Sequence, residues 1–262
     1  MYKITDMLLT PNEYSRPQTK LKSVKGVVIH WVANPNSTAK ANRNFFENRK
    51  SGKNGYGSAH YIIDLDGSVI RCLPESEVGY HVGSSLPYKS GTTQIYTPEA
   101  WKNLNSNSNK SVKPYPNNCT IGIECTHIDS KGKMTDATYD TLVEFSANLC
   151  KTYKLNPLTD LWLHKEVVGW KDCHLWFVNN PKEWASFKQK VKNKVDGVSA
   201  TVPKTPAPVV TNPNQWKIDL GQAAVKYLAS KGIIDNPENW MDKMLDAPED
   251  WLVFELLKRI SK

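Results

Sequence analysis

Two periodicities share the front of the chain. Val24 to Trp31 (VKGVVIHW) is a β-branched run that predicts a buried strand with His30 near its C-terminal end. Ser37 to Arg49 predicts a polar helix and Ser58 to Asp64 (SAHYIID) a second strand. The turn Leu65-Asp66-Gly67 then folds the chain back into Ser68 to Cys72. In Cys119 to Thr126 (CTIGIECT), alternation puts Ile121, Ile123 and Cys125 on one face and Gly122, Glu124 and Thr126 on the other. Thr135 or Asp136 caps a long helix whose apolar positions Tyr139, Leu142, Val143, Leu149, Cys150 and Tyr153 recur at helical spacing. Asp160 to His164 predicts a short strand, and Pro181 starts a helix through Val195. Ser84 to Asn118, rich in Ser, Asn, Gly and Pro, predicts a long surface loop with a helical turn near Pro98 to Leu104. Strands alternating with helices predict an α/β domain: a mixed central β-sheet flanked by helices.

Further on, Val198 to Asn214 (VSATVPKTPAPVVTNPN) carries four prolines and a single charge, which favours an extended spacer. Beyond it, Leu220, Ala223, Ala224, Tyr227 and Leu228 form one helical stripe and Val253, Leu256, Leu257 and Ile260 another, with Gly232 suited to a helix stop. The reading is three parts: a domain at 1–197, a linker at 198–214 and a small all-α module at 215–262. So few residues give the module a marginal core, and pairing with a second copy through its helices would enlarge it.

Composition narrows the function. No apolar run approaches the roughly eighteen residues that a bilayer span needs, so a membrane span is not expected. Met1 to Pro11 shows no signal-peptide pattern, and the expectation is a chain made in the cytoplasm without one. The net charge of +8 divides unevenly, −1 from Gln215 onward and +9 before it. That front part should be drawn to a polyanion, whether nucleic acid, an anionic lipid surface or an acidic wall polymer; for nucleic acid it lacks the basic stripe or a matching motif. Five cysteines without a Cys-x-x-Cys pair suggest reduced thiols, Cys125 and Cys150 among them as core residues.

His30, His164 and Cys173 fall where strands end, and such positions converge on one rim of an α/β sheet. Two imidazoles and a thiolate suit Zn²⁺, leaving a fourth position for water; the adjacent His174 is an alternative third ligand. Glu124 is a carboxylate inside an apolar strand, costly unless it is paired or works in a site, where it could move a proton. Lys171, two residues before Cys173, could stabilise a developing oxyanion. Nine tryptophans are mostly anchors, with Trp101 and Trp170 as loop candidates for substrate contact.

VVIHWVANPNSTA, SAHYIIDLDGSVIRCLPESEVGYHVGSS, NCTIGIECT and HKEVVGWKDC together resemble the zinc-dependent N-acetylmuramoyl-L-alanine amidases of type 2, the group that includes peptidoglycan-recognition proteins. The resemblance covers roughly Val24 to Cys173. It implies that His30, His164 and Cys173 bind zinc, that Glu124 is the acid/base, that Lys171 assists the oxyanion and that His81 lines the substrate cleft. It also implies cleavage of the bond between N-acetylmuramic acid and L-alanine. Ala59 stands where some relatives have a tyrosine. The tail, with its KGII-x-NP-x-x-W stretch, resembles wall-binding modules of phage amidases. The function expected is therefore a phage endolysin acting on Gram-positive peptidoglycan after release through a holin lesion, its tail holding a secondary wall polymer. The alternatives are a bacterial autolysin or germination amidase with the same chemistry, or a recognition protein that binds peptidoglycan without cutting it.

Overall fold

The computed structural model describes residues 2–197, 215–235 and 237. The chain separates into two compact units, Met1–Ala200 and Thr201–Lys262. In the first, six strands form one mixed sheet: β1 (Ile4–Asp6), β2 (Gly26–Trp31), β3 (Tyr61–Ile63), β4 (Val69–Arg71), β5 (Thr120–Cys125) and β6 (Leu161–Leu163), in the order β1-β4-β3-β5-β2-β6. Only the β3–β4 pair is antiparallel, as its tight Asp-Gly turn requires. The helices are α1 (Ala39–Asn48), α2 (Pro98–Asn103), α3 (Asp136–Tyr153), α4 (Pro157–Asp160), α5 (His164–Val168), α6 (Leu175–Asn179) and α7 (Pro181–Asp196). The mixed α/β architecture expected from the alternating pattern is the one observed.

Alternation along the strands sorts their side chains onto two faces. Val27, Ile29, Ile121, Ile123, Leu161 and Leu163 point to a core completed by Leu142 and Phe145 of α3 and by Trp184, Phe187 and Val191 of α7. The opposite face carries Val28 and Trp162 against α2 and α5, and Ile62 against Ala39 of α1. Thr135 caps α3: its hydroxyl accepts the Thr138 N–H at 3.0 Å and donates to the Leu65 carbonyl at 2.7 Å.

Two departures from the sequence reading have plain causes. The segment Ser84 to Asn118 is not purely superficial, because Tyr96, Ala100 and Leu104 are buried against Val28, Trp162 and Val167. Strand β1 was not foreseen: its three residues are exposed and gain order only by pairing with β4.

In the second unit, α8 (Gln215–Ser230) packs Ala224, Val225 and Leu228 with Tyr227 and Ile234. Gly232, at φ +65°, ends it: its N–H reaches the Ala229 carbonyl and the Ile233 N–H the Leu228 carbonyl, both at 3.0 Å. The expected linker and the second stripe, Val253 to Ile260, lie outside the described residues.

Candidate metal centre and cleft

Register builds the centre. In the β2–β5 pair His30 lies opposite Glu124 and Val28 opposite Gly122. Both polar side chains therefore leave the sheet on the same face, side by side at the C-terminal ends of parallel strands. On the other side of β2, strand β6 stops at Leu163 and His164 opens α5. The Glu166 carboxylate accepts the Leu163 N–H at 2.7 Å and the Trp184 indole N–H at 3.0 Å, fixing where the helix begins. Gly169 (φ +80°) then turns the chain sharply; a Cβ there would meet the Tyr88 carbonyl oxygen at 2.3 Å. The turn brings Lys171 and Cys173 back to the cleft, tied by the Cys173 carbonyl to the Lys165 N–H at 3.0 Å.

His30, His164 and Cys173, all buried, form the potential metal-ligand group among the described residues, with ligand atoms within 4.8 Å of one another. The Nδ1 of His30 lies 3.2 Å from Nδ1 of His164 and 3.6 Å from Sγ of Cys173. A tetrahedral Zn²⁺, with Zn–N of about 2.0–2.1 Å and Zn–S of about 2.3 Å, would separate its ligands by about 3.3 Å (N···N) and about 3.6 Å (N···S). The two edges through His30 thus fit zinc. Protonation fits as well. Burial pushes His30 well below the usual histidine value and takes His164 to about 3, so both imidazoles are neutral, the form in which a metal can be bound. Burial pushes the Cys173 thiol up to about 12, with the Glu124 charge adding to it, so a cation is needed to make it a thiolate. His174 is not in the group; its ring packs against Phe177, 5.0 Å between centroids.

Glu124 is raised to about 8, chiefly by burial and partly offset by the Lys171 charge, and its Oε2 has no protein partner. It lines a cleft of about 640 Å³ together with Lys171, His81 and the three potential ligands. The cleft runs outward past Phe45, Arg49, Tyr56, Tyr80 and Tyr115, none of which stood out in the sequence. The Phe45-Phe46 pair in an otherwise polar helix was the available signal.

His81 is buried, and both its ring nitrogens have protein partners: Nδ1 with His30 Nε2 at 3.1 Å, and Nε2 with the Thr120 carbonyl at 3.3 Å and hydroxyl at 3.2 Å. Neither loop tryptophan lines the cleft. The Trp101 indole N–H is spent on the Lys110 carbonyl at 3.2 Å. Trp170 is exposed, its N–H donating to the hydroxyl of Ser84, a cleft residue, at 2.9 Å.

A family model described as N-acetylmuramoyl-L-alanine amidase matches residues 20–176. The N-acetylmuramoyl-L-alanine amidase BlyA of Bacillus subtilis (strain 168) is 28% identical over 201 residues, 77% of this chain and 50% of the relative. The chain spans about half the length of the curated relatives it matches. Among solved structures, the PlyG catalytic domain superposes with a TM-score of 0.53 at 20% identity, covering 77% of this chain and 99% of that one. A mutant endolysin from Bacillus subtilis gives 0.51 at 20% identity, covering 73% and 99%. These structural likenesses show the shared fold.

Proposed function

The chain belongs to the N-acetylmuramoyl-L-alanine amidase family, and from that premise we propose that it is a zinc-dependent peptidoglycan hydrolase. Its substrate is the amide joining N-acetylmuramic acid to L-alanine. The observation that carries the reading is the convergence of His30, His164 and Cys173 beside Glu124, in a cleft that also holds Lys171. Held by those three side chains, zinc would lower the pKa of a water toward about 7 and polarise the scissile carbonyl.

The remaining work falls to the chain itself. Glu124, half-buried with its Oε2 shielded from solvent and without a protein partner, takes a proton in its carboxylate form from the attacking water and returns it to the departing L-alanine nitrogen. Lys171 brings a positive charge to the cleft, where negative charge develops on the carbonyl oxygen. A non-cutting recognition protein would not need the thiol ligand, and Cys173 is present.

The biological role we assign is that of a phage endolysin, released to the Gram-positive wall through a holin lesion, with residues 215–262 as a wall-binding module. Among the described residues no helix is long and apolar enough to cross a membrane. Digesting purified walls tests the activity: new L-alanine amino termini should appear without new reducing sugars, and should disappear when a chelator removes zinc. Release of reducing sugars instead would overturn the assignment. For the tail, the fluorescently labelled full chain should decorate host cells and a chain ending at Gly197 should not.

A further inference from the structure

We propose that His81 is a positioning residue for the metal ligand His30, and that a relay from a backbone carbonyl through Thr120 and His81 sets which nitrogen of His30 is free to bind metal. The argument starts at the far end. The Pro116 carbonyl can only accept, so the Thr120 hydroxyl, 2.8 Å away, must donate to it. That leaves the Thr120 oxygen as an acceptor for His81 Nε2 at 3.2 Å, and the Thr120 carbonyl at 3.3 Å makes the same demand. His81 therefore carries its proton on Nε2, and its Nδ1 has a lone pair. That lone pair faces His30 Nε2 at 3.1 Å, so His30 must hold its proton on Nε2 and present a bare Nδ1. Nδ1 is the atom that lies 3.2 Å from His164 and 3.6 Å from the Cys173 sulfur. Only one protonation pattern satisfies every bond in the series, and it is the pattern that a metal requires.

The fold builds the seat for this ring. A Cβ on Gly122 would lie 2.5 Å from the His81 ring, so the missing side chain in TIGIEC is where the imidazole sits. Asn117 Oδ1 accepts the backbone N–H groups of His81 and Val82 at 3.2 and 2.9 Å, fixing the approach of the chain. With both nitrogens engaged, His81 has no polar atom left for substrate. The same relay also makes sense of the buried Thr120 and of a three-residue 3₁₀ turn at Pro116–Asn118.

This inference rests on the zinc reading above, and two isosteric variants separate them. His81→Asn keeps an acceptor near the Nδ1 position and loses the Thr120 contact; His81→Gln places its polar atoms near Nε2 and leaves the His30 N–H unpaired. Zinc affinity of the full-length protein is measured by competition with a fluorescent chelator. His81→Gln should bind roughly 10–100-fold more weakly than the native chain and His81→Asn close to it. Thr120→Val should weaken binding in the same direction and by less, since the Thr120 carbonyl remains. The reverse order, or unchanged affinity in all three, overturns the relay while the zinc reading stands; a native chain that binds no zinc overturns both. Long-range ¹H–¹⁵N spectra of the metal-free native protein give a readout that needs no variant to fold. His30 protonated on Nε2 is expected, and a proton on Nδ1 would end the proposal.

Discussion

The two faces of the sheet are built from the same strands one residue out of step. Val27, Ile29, Ile121 and Ile123 face α3 and α7 in an apolar core, whereas His30 and Glu124 face the cleft and Gly122 leaves room there for the His81 ring. On the first face burial is the source of stability, through removal of apolar area from water. On the second face the same depth of burial works against stability: it holds two imidazoles neutral, a carboxyl protonated up to about 8 and a thiol protonated up to about 12. A divalent cation held by His30, His164 and Cys173 would resolve the conflict for those three side chains. The α3/α7 face is thus apolar throughout its core, while the other, apolar at Val28, Trp162 and Ile62, carries costly ionisation states where β2 and β5 end at the cleft.

If the faces divide the labour in this way, substitutions on each should move different observables. The largest effect is expected from Glu124→Gln, which should cut turnover on purified walls by roughly 10²–10⁴-fold while bound zinc, read by atomic absorption, stays stoichiometric. Undiminished turnover would remove Glu124 from the mechanism. On the opposite face, Phe187 is fully buried and stacks on Trp184, ring centroids 5.3 Å apart. Phe187→Ala should lower unfolding free energy by about 3–5 kcal/mol, measured by urea denaturation, with zinc affinity of the folded fraction unchanged. A loss of zinc binding there would show that the faces are coupled.

The pH response of the metal-free protein separates the faces further. Glu124 has a folded pKa above its unfolded one, so between the ordinary carboxylate range and about 8 the folded chain keeps a proton that the unfolded chain has released. Its contribution to stability is therefore full at the acid end of that window and is lost as pH rises through it. His30 and His164 have the opposite sign: depressed in the fold, they cost stability as pH falls below the usual histidine value. In chelator, the urea midpoint of Glu124→Gln should gain on that of the native chain as pH rises from about 5 to about 8. A constant difference would mean that the carboxyl titrates alike in both states. Phe187→Ala, by contrast, should shift the midpoint equally at every pH.

Much of this division was readable in one octapeptide. CTIGIECT places Glu124 and Gly122 on the face opposite Ile121 and Ile123, and the structure keeps that assignment. The long amphipathic helix α3 and its Thr135 cap were equally legible, because both are local signals. What the sequence hid depends on partners far along the chain. Strand β1 exists through its pairing with residues 69–71, and α4, α5 and α6 are too short to show a period. The partners of His81, namely His30, Asn117 and Thr120, lie 36 to 51 residues away along the chain, so spacing alone makes it look like any histidine near a cleft. Trp101 was equally hard to place from spacing: its indole N–H bonds the Lys110 carbonyl within its own loop and it lies outside the cleft lining.

The smallest effect tests whether the apolar face can be loosened without touching the chemistry. Thr135 accepts the Thr138 N–H at the start of α3 and donates to the Leu65 carbonyl, linking that helix to the chain just beyond β3. Thr135→Ala removes the cap and leaves the Leu65 carbonyl without that donor, at an expected cost of about 1 kcal/mol. Thr135→Ser keeps a hydroxyl in place and should recover most of the loss. Turnover and zinc affinity should be untouched in both variants, because α3 covers only the face turned away from the cleft. If Thr135→Ala lowered zinc affinity in step with stability, the strands would be transmitting small movements of α3 to His30 and Glu124. The sheet would then be a lever between its two faces and not a wall.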